Sequence, residues 1–248
     1  MGEADGRRAV VTGAASGIGY AVAERLLAEG ASVLAVDVNA QGMAPLAEQG
    51  AETIVASVAD EGDRERIVMA AGQIDYLVNS AGVLFVKSIW DVSLEEWRHL
   101  YAVNVEGTFF MCQRLGRHIR PGGAILNLSS SSAKLSSTVE VTPYSSSKAT
   151  ILGITRSFAY VLAADGIRVN AICPGIVDTP MQEKVLEVVA PMRGTTAQAL
   201  HEARLKTVPL GRSASPAECA GTIWWLLSDG ASYMTGQAIN YTGGLVMW

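Results

Sequence analysis

A glycine-rich turn near the start of the chain joins an apolar run to a segment rich in helix-favouring residues. Residues 8–12 read Arg-Ala-Val-Val-Thr, and Gly13, Gly17 and Gly19 follow before the alanine- and leucine-rich stretch that begins at Tyr20. Glycine lacks a Cβ atom, so the backbone can turn sharply at these positions and approach a ligand closely. The free N–H groups of such a turn, and the positive end of the helix dipole that follows, suit a pyrophosphate. By itself the turn fits either a dinucleotide site or a simple tight connection.

The next apolar run supplies the second half of a dinucleotide site. Residues 32–37 read Ser-Val-Leu-Ala-Val-Asp, and Asp37 lies eighteen residues after Gly19. A carboxylate at the tip of the second strand accepts hydrogen bonds from the ribose hydroxyls of NAD, whereas it repels the additional phosphate of NADP. We therefore predict that residues 8–37 bind NAD, with Asp37 at the adenosine ribose.

Strand-like apolar runs alternate with helical segments along most of the chain. Most of these runs are apolar almost throughout, which is typical of strands covered on both faces. The predicted strands lie near 8–12, 32–37, 52–56, 74–78, 122–128, 166–172 and 237–241, and the long helices near 93–117, 143–164 and 216–228. This order predicts an α/β fold in which a single domain, residues 1–248, contains a doubly wound parallel sheet with helices on both faces.

The regular alternation stops after the sixth strand, where residues 179–210 contain two short helical pieces. The pieces lie near 182–189 and 197–206, with proline and glycine around them. An insertion that follows the carboxyl end of a strand is placed to cover a ligand. We predict a small helical lid over the substrate, although a surface helical hairpin fits the same pattern.

The composition limits the partners of the chain. Charged residues make up 17% of the sequence, against about 25% in ordinary soluble domains, which indicates an oligomer whose long helices pack on another subunit. A net charge of −5 and a pI near 5.3 argue against nucleic acid or an anionic membrane as the main partner. The apolar runs are too short to span a bilayer, and residues 1–7 lack a secretory core. Cys112, Cys173 and Cys219 are far apart, so we expect reduced, buried thiols in a cytoplasmic protein, with no role in metal binding.

A tyrosine and a lysine four residues apart open a predicted helix. Tyr144 and Lys148 would lie on one face of that helix, one turn apart. An ammonium beside a phenol favours the phenolate, so it should draw the pKa of Tyr144 down from about 10 toward neutral pH. Such a tyrosine can act as a general acid and base. The pair alone also fits a structural tyrosine beside a surface lysine.

Together with five other motifs, this pair makes the chain similar to the classical short-chain dehydrogenase/reductase family over essentially its full length. In chain order, the motifs are Thr12 to Gly19, Asn79-Ser80-Ala81-Gly82, Asn104, the serines at 129–132, Tyr144 with Lys148, and residues 174–179. The resemblance implies a Rossmann-type domain of about seven strands, a nicotinamide cofactor, hydride transfer at a carbon that bears oxygen, and a homotetramer.

The resemblance also implies roles for individual residues. Tyr144 would be the general acid and base, Lys148 would lower its pKa and bind the nicotinamide ribose, and Asn104 would hold a water linked to the lysine. The pyrophosphate would lie against Gly13, Ser16, Gly17, Ile18 and Gly19. The adenosine would contact Asp37, Ser57, Val58, Asn79, Ala81 and Gly82, and the carboxamide would contact Val177 and Thr179.

Two of the cofactor motifs depart from the family pattern. The usual Asn-Asn-Ala-Gly has Ser80 in its second place, which leaves Asn79 unchanged. The usual Asp-Val after the third strand appears as Ser57 and Val58. The adenine amino group would therefore lose a carboxylate partner, unless the serine oxygen or Asp60 takes its place.

The catalytic serine of the family has two candidates in this chain. Counting along the fifth strand gives Ser130, whereas the usual spacing of thirteen residues before Tyr144 gives Ser131. We choose Ser130 because a strand is stiffer than the loop after it. The remaining serines and Thr138 are expected to line the loop or the pocket.

These residues predict an NAD-dependent dehydrogenase that interconverts a secondary alcohol and a ketone on a small polar substrate, such as a polyol, sugar, sugar acid or hydroxy acid. The main alternative is an NADPH-linked reductase of 3-oxoacyl or xenobiotic ketones. That enzyme would favour a cation near positions 15, 16 or 38, where this chain has Ala15, Ser16 and Val38. A third alternative is a cofactor-sensing protein without turnover, but such proteins normally lose the tyrosine or the lysine.

The last residues of the sequence, Met247 and Trp248, are large and apolar. Two uses remain open for them. They pack on their own subunit, or they help to shape the substrate pocket of a neighbouring subunit.

Overall fold

Strands and helices alternate along the chain, as the apolar runs predict. The computed structural model describes residues 2–135 and 139–248, so the pocket residue Thr138 lies outside the described residues. The strands are β1 (Arg8–Thr12), β2 (Ser32–Asp37), β3 (Glu52–Val55), β4 (Ile74–Asn79), β5 (Ile119–Leu128), β6 (Arg168–Pro174) and β7 (Ala238–Tyr241). The α-helices are α1 (Gly17–Ala28), α2 (Ala40–Glu48), α3 (Glu61–Ala71), α4 (Leu94–Tyr101), α5 (Thr108–Gly116), α6 (Thr142–Leu162), α7 (Pro180–Met192), α8 (Ala197–Leu205) and α9 (Pro216–Leu227).

These strands form one parallel, seven-stranded sheet in the order β3-β2-β1-β4-β5-β6-β7. Strand β1 pairs in parallel with both β2 and β4, and Thr12 at its end lies beside Val36 on one side and Asn79 on the other. The strand order therefore reverses between β1 and β4, and ligands of such sheets bind in the crevice at this reversal, outside the carboxyl ends of the strands. The predicted doubly wound α/β fold is confirmed.

Helices cover both faces of the sheet because the strands are apolar on both faces. On one face, Leu26 of α1 and Trp224 of α9 belong to one buried cluster with side chains of the strands. On the other face, Ile67 of α3 and Met111 of α5 belong to a second cluster. Full burial of one such side chain contributes about 1.5–3 kcal/mol, so the two clusters hold the strand ends in a fixed arrangement.

The helix predicted over 93–117 is two α-helices joined by a turn of π-helix at Ala102–Gly107. Ser93 and Glu96 form a capping box at the start of α4, which explains why the helix begins there. A Cβ atom on Gly107 would lie 2.6 Å from Cγ2 of Val58, so only glycine lets this turn pack against the loop after β3. The chain is thus helical throughout the predicted range, and the helix near 93–117 is confirmed, but its apolar spacing did not show the π geometry of the middle turn.

Residues 179–210 contain two helices, α7 and α8, in the places where the sequence predicts helical pieces. Thr179 caps α7, and Pro180 occupies its first turn, where a missing N–H costs nothing. Leu186, Val189 and Leu200 belong to a third apolar cluster, separate from the two that cover the sheet. The segment thus has a small core of its own.

Two further expectations concern burial. All three cysteines are buried and unpaired, as predicted. Among the helices of the described residues, none combines the length and the apolar character that a bilayer crossing requires.

Candidate active site

A cavity of about 730 Å³ opens at the carboxyl ends of the strands, beside the reversal of strand order. Of the catalytic and cofactor-binding residues that the family resemblance assigns, Asn79 and Asn104 are absent from its lining. The predicted residues in the lining are Gly13, Ser16, Gly17, Ile18, Gly19, Asp37, Ser57, Val58, Ala81, Gly82, Ser130, Tyr144, Lys148, Val177 and Thr179.

The glycine-rich turn forms a cradle that side chains would fill. Gly13 has a φ of +70°, and a Cβ atom there would lie 2.7 Å from the backbone of Ala81. A Cβ atom on Gly19 would lie 2.1 Å from the carbonyl oxygen of Gly13. Ser16 precedes α1 without capping it through its side chain, so the start of this helix faces the cavity. The cradle fits a pyrophosphate, which binds to N–H groups at a helix start.

Asp37 projects from the end of β2 into the cavity with a fixed carboxylate. Its Oδ2 accepts a hydrogen bond from the backbone N–H of Ala15 (3.0 Å), and its Oδ1 accepts one from the N–H of Asn39 (2.9 Å). Each oxygen keeps a lone pair for a further donor. Among the described residues that line the cavity, the Lys and Arg side chains are Lys148, Arg193 and Arg204, which come from α6, the end of α7 and α8.

The two candidates for the adenine end of the cavity are placed differently. Ser57 lines the cavity, and its hydroxyl oxygen accepts a hydrogen bond from the N–H of Ala59 (3.2 Å). Asp60 instead caps α3 by accepting from the N–H of Asp63 (2.8 Å), and it is not part of the lining. Of the two groups considered as replacements for the missing carboxylate, the Ser57 side chain is therefore the one that lines the cavity.

Asn79 lies behind the cavity rather than in its wall. Its amide nitrogen donates to Oδ1 of Asn127 (2.9 Å) and lies 3.2 Å from Sγ of Cys112. The side chain is 3% exposed. The bond to Asn127 joins β4 to β5, and the ribose contact expected of Asn79 stays a prediction.

Tyr144 and Ser130 meet at the centre of the cavity wall. The Ser130 hydroxyl hydrogen-bonds the hydroxyl of Tyr144, and its oxygen also accepts from the N–H of Ser132 (3.1 Å). Ser131 is buried in the short 3₁₀ turn that follows and lines the same cavity. The geometry thus pairs the tyrosine with Ser130, the serine chosen by the strand count.

Lys148 lies next to Tyr144 but does not bond to it. Its ammonium donates to the carbonyl oxygen of Leu128 (2.8 Å) and is 5.6 Å from the centroid of the tyrosine ring. Burial lowers the pKa of Lys148 to about 8. Burial also raises the pKa of Tyr144 to about 12, although the hydrogen bond with Ser130 acts in the opposite direction. The expected lowering of the tyrosine pKa was wrong for this arrangement, because desolvation exceeds the stabilisation of the phenolate.

Asn104 connects three parts of the site from within the π turn. Its Oδ1 accepts from the N–H of Val83 (2.8 Å), and its Nδ2 donates to the carbonyl of Val83 (3.0 Å) and to Oγ of Ser147 (3.1 Å). The side chain is fully buried. It therefore positions the loop after β4 against the helix that carries Tyr144 and Lys148.

The far wall of the cavity contains charged residues that the sequence analysis did not single out. Arg193, at the end of α7, donates from Nε (2.9 Å) and from a terminal nitrogen to Oε1 of Glu140, just before α6. Arg204, in α8, lines the same cavity. The helical spacing contained a signal for it, because Arg204 lies four residues after the buried Leu200 and hence on the same face.

Comparison with known proteins agrees with this geometry. A family model described as enoyl-(acyl carrier protein) reductase matches residues 13–246. The chain is 34% identical to the 3-oxoacyl-[acyl-carrier-protein] reductase FabG of Thermotoga maritima, over 98% of this chain and 99% of that protein. It is 36% identical to the D-threitol dehydrogenase of Mycolicibacterium smegmatis, over 97% of this chain and 93% of that protein.

The fold also matches solved structures over its full length. The crystal structure of an actinorhodin polyketide ketoreductase variant with NADPH superposes with a TM-score of 0.92 and 32% sequence identity, covering 100% of both chains. Fold, cavity and sequence agree, and the chain belongs to the classical short-chain dehydrogenase/reductase family of oxidoreductases.

Proposed function

We propose that this protein is an NAD-dependent dehydrogenase that interconverts a secondary alcohol and a ketone on a small polar substrate. The observation that carries the proposal is the contact of Tyr144 with Ser130 in the same cavity as the glycine cradle and Asp37. A proton-transfer group, a second hydroxyl and a dinucleotide cradle in one cavity are what this reaction requires.

The residues of the chain divide the reaction between them. Ser130 donates a hydrogen bond to the substrate oxygen, and Tyr144 gives a proton to that oxygen during reduction or removes one during oxidation. The tyrosine is protonated at neutral pH, since its pKa is raised to about 12, so it begins a reduction in the required state. Lys148 is charged below its pKa of about 8, and this charge favours the phenolate when the proton leaves. Bound NAD supplies the hydride acceptor.

The cofactor residues extend along the rest of the cavity. Gly13, Ser16, Gly17, Ile18 and Gly19 would hold the pyrophosphate, and Ser57, Val58, Ala81 and Gly82 would border the adenosine. Val177 and Thr179 would hold the nicotinamide carboxamide. Gln182, one turn into α7, has a buried amide nitrogen without a hydrogen-bond partner among the described residues, and it lines the same cavity. That N–H group is available to a bound ligand.

The preference for NAD over NADP depends on Asp37. A phosphate placed about 4 Å from its carboxylate meets about 4 kcal/mol of repulsion per charge pair at an effective dielectric of about 20. Screening by salt reduces this value, but a tenfold preference needs only about 1.4 kcal/mol. We expect kcat/KM for NAD to exceed that for NADP by at least about tenfold, and Asp37→Ala to narrow the difference. Equal efficiency with the two cofactors in the wild-type enzyme would contradict the assignment.

A second candidate function is supported by the relatives. The 3-oxoacyl reductase and the polyketide ketoreductase in the comparisons suggest an NADPH-linked reductase of 3-oxoacyl compounds. The measurement of cofactor preference separates this candidate from the first. A chain that used NADPH and reduced an acetoacetyl thioester, but oxidised no polyol or hydroxy acid, would be that reductase.

Turnover itself is tested by NADH fluorescence during incubation with a panel of polyols, sugars, sugar acids, hydroxy acids and ketones. Tyr144→Phe retains the ring but not the transferable proton, so turnover should fall by about a hundredfold to ten-thousandfold. NADH binding should persist in this variant. A Tyr144→Phe protein that keeps most of its activity would show that the assigned acid and base is wrong, and a wild-type protein that binds NADH without turnover would be a cofactor sensor.

The proposal includes a homotetramer in the cytoplasm. Large apolar side chains on the long helices face outward in the single chain: Phe109 of α5 is 37% exposed, and Tyr160 and Val161 of α6 are 88% and 66% exposed. Pairing of these helices between subunits would cover such side chains. The three buried thiols are compatible with a reducing compartment. Light scattering after gel filtration measures the assembly.

A further inference from the structure

The lid side of the cavity has an excess of positive charge. Its charged side chains are Glu140, before α6, and Arg193 and Arg204, on the lid. Glu140 and Arg193 form an ion pair in which one carboxylate oxygen accepts from two guanidinium nitrogens. Burial opposes ionisation of Glu140, but the bonds from Arg193 keep its pKa below the usual value. The charges of Glu140 and Arg193 therefore cancel, and Arg204 carries the excess positive charge of this side of the cavity.

Arg204 has no hydrogen-bond or ion-pair partner for its guanidinium among the residues of 2–135 and 139–248. Its side chain is only partly exposed, because Leu200 on the same face of α8 is buried in the lid core. Burial lowers the pKa of Arg204, the charge of Arg193 adds to this effect, and Glu140 offsets part of it. The surroundings thus disfavour a charge that arginine retains at every ordinary pH.

An unpaired cation in a partly buried place destabilises its surroundings until an anion pairs with it. The planar guanidinium offers two parallel N–H donors that match the two oxygens of a carboxylate. Arg204 faces a cavity that also contains the hydroxyl groups of Ser130 and Tyr144. A ligand that reaches both ends would carry an anionic group at one end and the reacting alcohol or ketone at the other.

We infer that Arg204 binds a carboxylate of the substrate, so that the natural substrates are hydroxy acids and their oxo acids rather than neutral polyols. This inference rests on the proposed dehydrogenase function and specifies its substrate class. Arg204 acts on binding, since the proton transfer takes place at Tyr144.

A carboxylate fits this place better than a phosphate does. Glu140 lies close enough to Arg204 to affect its pKa, and its pairing with Arg193 leaves the lid side with a net charge of +1. A carboxylate neutralises this charge, whereas a dianion leaves one buried negative charge without a partner. Apolar side chains of Val185, Val189 and Leu200 also line the cavity on the lid side. They suit a short carbon chain beneath the charged group.

The kinetic test uses pairs of compounds that differ only in the charged group. Threonate is compared with threitol, and glycerate with glycerol, at saturating NAD. In the wild-type enzyme, kcat/KM for the acid should exceed that for its neutral partner by about tenfold or more, as one charge-assisted hydrogen-bonded pair would give. Arg204→Gln should lower this acid-to-neutral ratio by about tenfold or more, mainly through KM for the acid.

Lys206→Gln is the matched control, because Lys206 is an exposed lysine two residues further along the lid and is not part of the cavity lining. It removes the same charge from the same segment, so it should leave the acid-to-neutral ratio unchanged. NADH binding by each variant shows that it is folded. Wild-type turnover of the polyols without a preference for the acids, or an unchanged ratio in Arg204→Gln, would overturn the carboxylate site while the dehydrogenase function stands.

A binding measurement decides the case in which none of the four compounds reacts. Butanoate, which cannot be oxidised at a hydroxyl group, is titrated calorimetrically into the protein with NAD present, and butanamide, which also lacks a hydroxyl group, serves as the neutral probe. The site is supported, even without turnover, if the wild type binds butanoate and Arg204→Gln weakens this binding by about tenfold or more. Lys206→Gln should bind butanoate as the wild type does. Absence of binding, or binding that is equal in Arg204→Gln, overturns it.

Discussion

The buried ammonium of Lys148 should make the stability of the protein depend on pH in a way that a single substitution can isolate. The side chain is 4% exposed, and burial lowers its pKa from 10.5 to about 8. Lys148→Met removes the charge and keeps a flexible apolar chain of similar length. It also removes the hydrogen bond to the carbonyl of Leu128, but the cost of that loss is the same at every pH.

The expected change follows from proton linkage. A lysine whose pKa is lowered by folding costs stability below both pKa values, and the cost disappears as the pH rises above both. For pKa values of 10.5 and about 8, the penalty is about 3 kcal/mol near pH 7 and about 1 kcal/mol near pH 9.5. The free energy of unfolding of Lys148→Met, relative to the wild type, should therefore fall by about 2 kcal/mol between these two pH values.

Urea unfolding under reducing conditions, at one protein concentration, measures this difference. Groups that do not interact with Lys148 titrate equally in both proteins and cancel in the comparison. Cys173, whose pKa the charge of Lys148 lowers, adds a smaller contribution to the difference. Lys206→Met serves as the control, since an exposed lysine should give a difference that is independent of pH. If the Lys148→Met difference is equally constant from pH 7 to pH 9.5, the lysine does not titrate near pH 8 and the argument from burial is refuted.

Two further predictions follow from the site and the lid. Ser130→Ala should lower turnover by about a hundredfold or more, and Ser131→Ala by much less, because Ser130 contacts the Tyr144 hydroxyl; a larger loss at Ser131 would reverse the assignment. Without ligand, amide hydrogens of α7 and α8 should exchange faster than those of β4, because the lid has its own small core; equal protection would contradict the lid hypothesis.

The general fold could be predicted because its signals are local. An apolar run that is covered on both faces contains no polar alternation, and most of the strands show this pattern by themselves. The glycine at position 13 was recognised for a similar reason, since the positive φ of a tight turn is a local property that favours glycine. Such features depend on the residues themselves and on their immediate neighbours.

The features that the sequence did not reveal depend on contacts between distant segments. The π turn at 102–107 is fixed by packing of Gly107 on Val58 and by hydrogen bonds between Asn104 and the loop after β4. The tyrosine pKa depends on how deeply α6 is buried, which its spacing from Lys148 does not show. Arg204 belongs to no family motif, and only the folded lid brings it to the cavity.

The last two residues of the sequence have a fixed backbone and exposed side chains. The carbonyl oxygen of Trp248 accepts hydrogen bonds from Nδ2 of Asn240 (2.9 Å) and Nζ of Lys134 (3.5 Å). Met247 is nevertheless 75% exposed and Trp248 77% exposed. Of the two uses considered for them, close packing on their own subunit is therefore not observed against residues 2–135 and 139–246.

Leu245, close by in the chain, lines the cavity, so the exposed pair lies near the substrate site. A fixed backbone with outward apolar side chains is suited to packing against a neighbouring subunit, where burial of each large side chain contributes about 1.5–3 kcal/mol. Exchanging Met247 and Trp248 together for serine keeps the carbonyl contacts and removes only these side chains. If the pair shapes a neighbouring pocket, KM for the substrate should rise several-fold while NAD affinity and the oligomer remain. Lower thermal stability with unchanged kinetics would instead show that the side chains act only in packing.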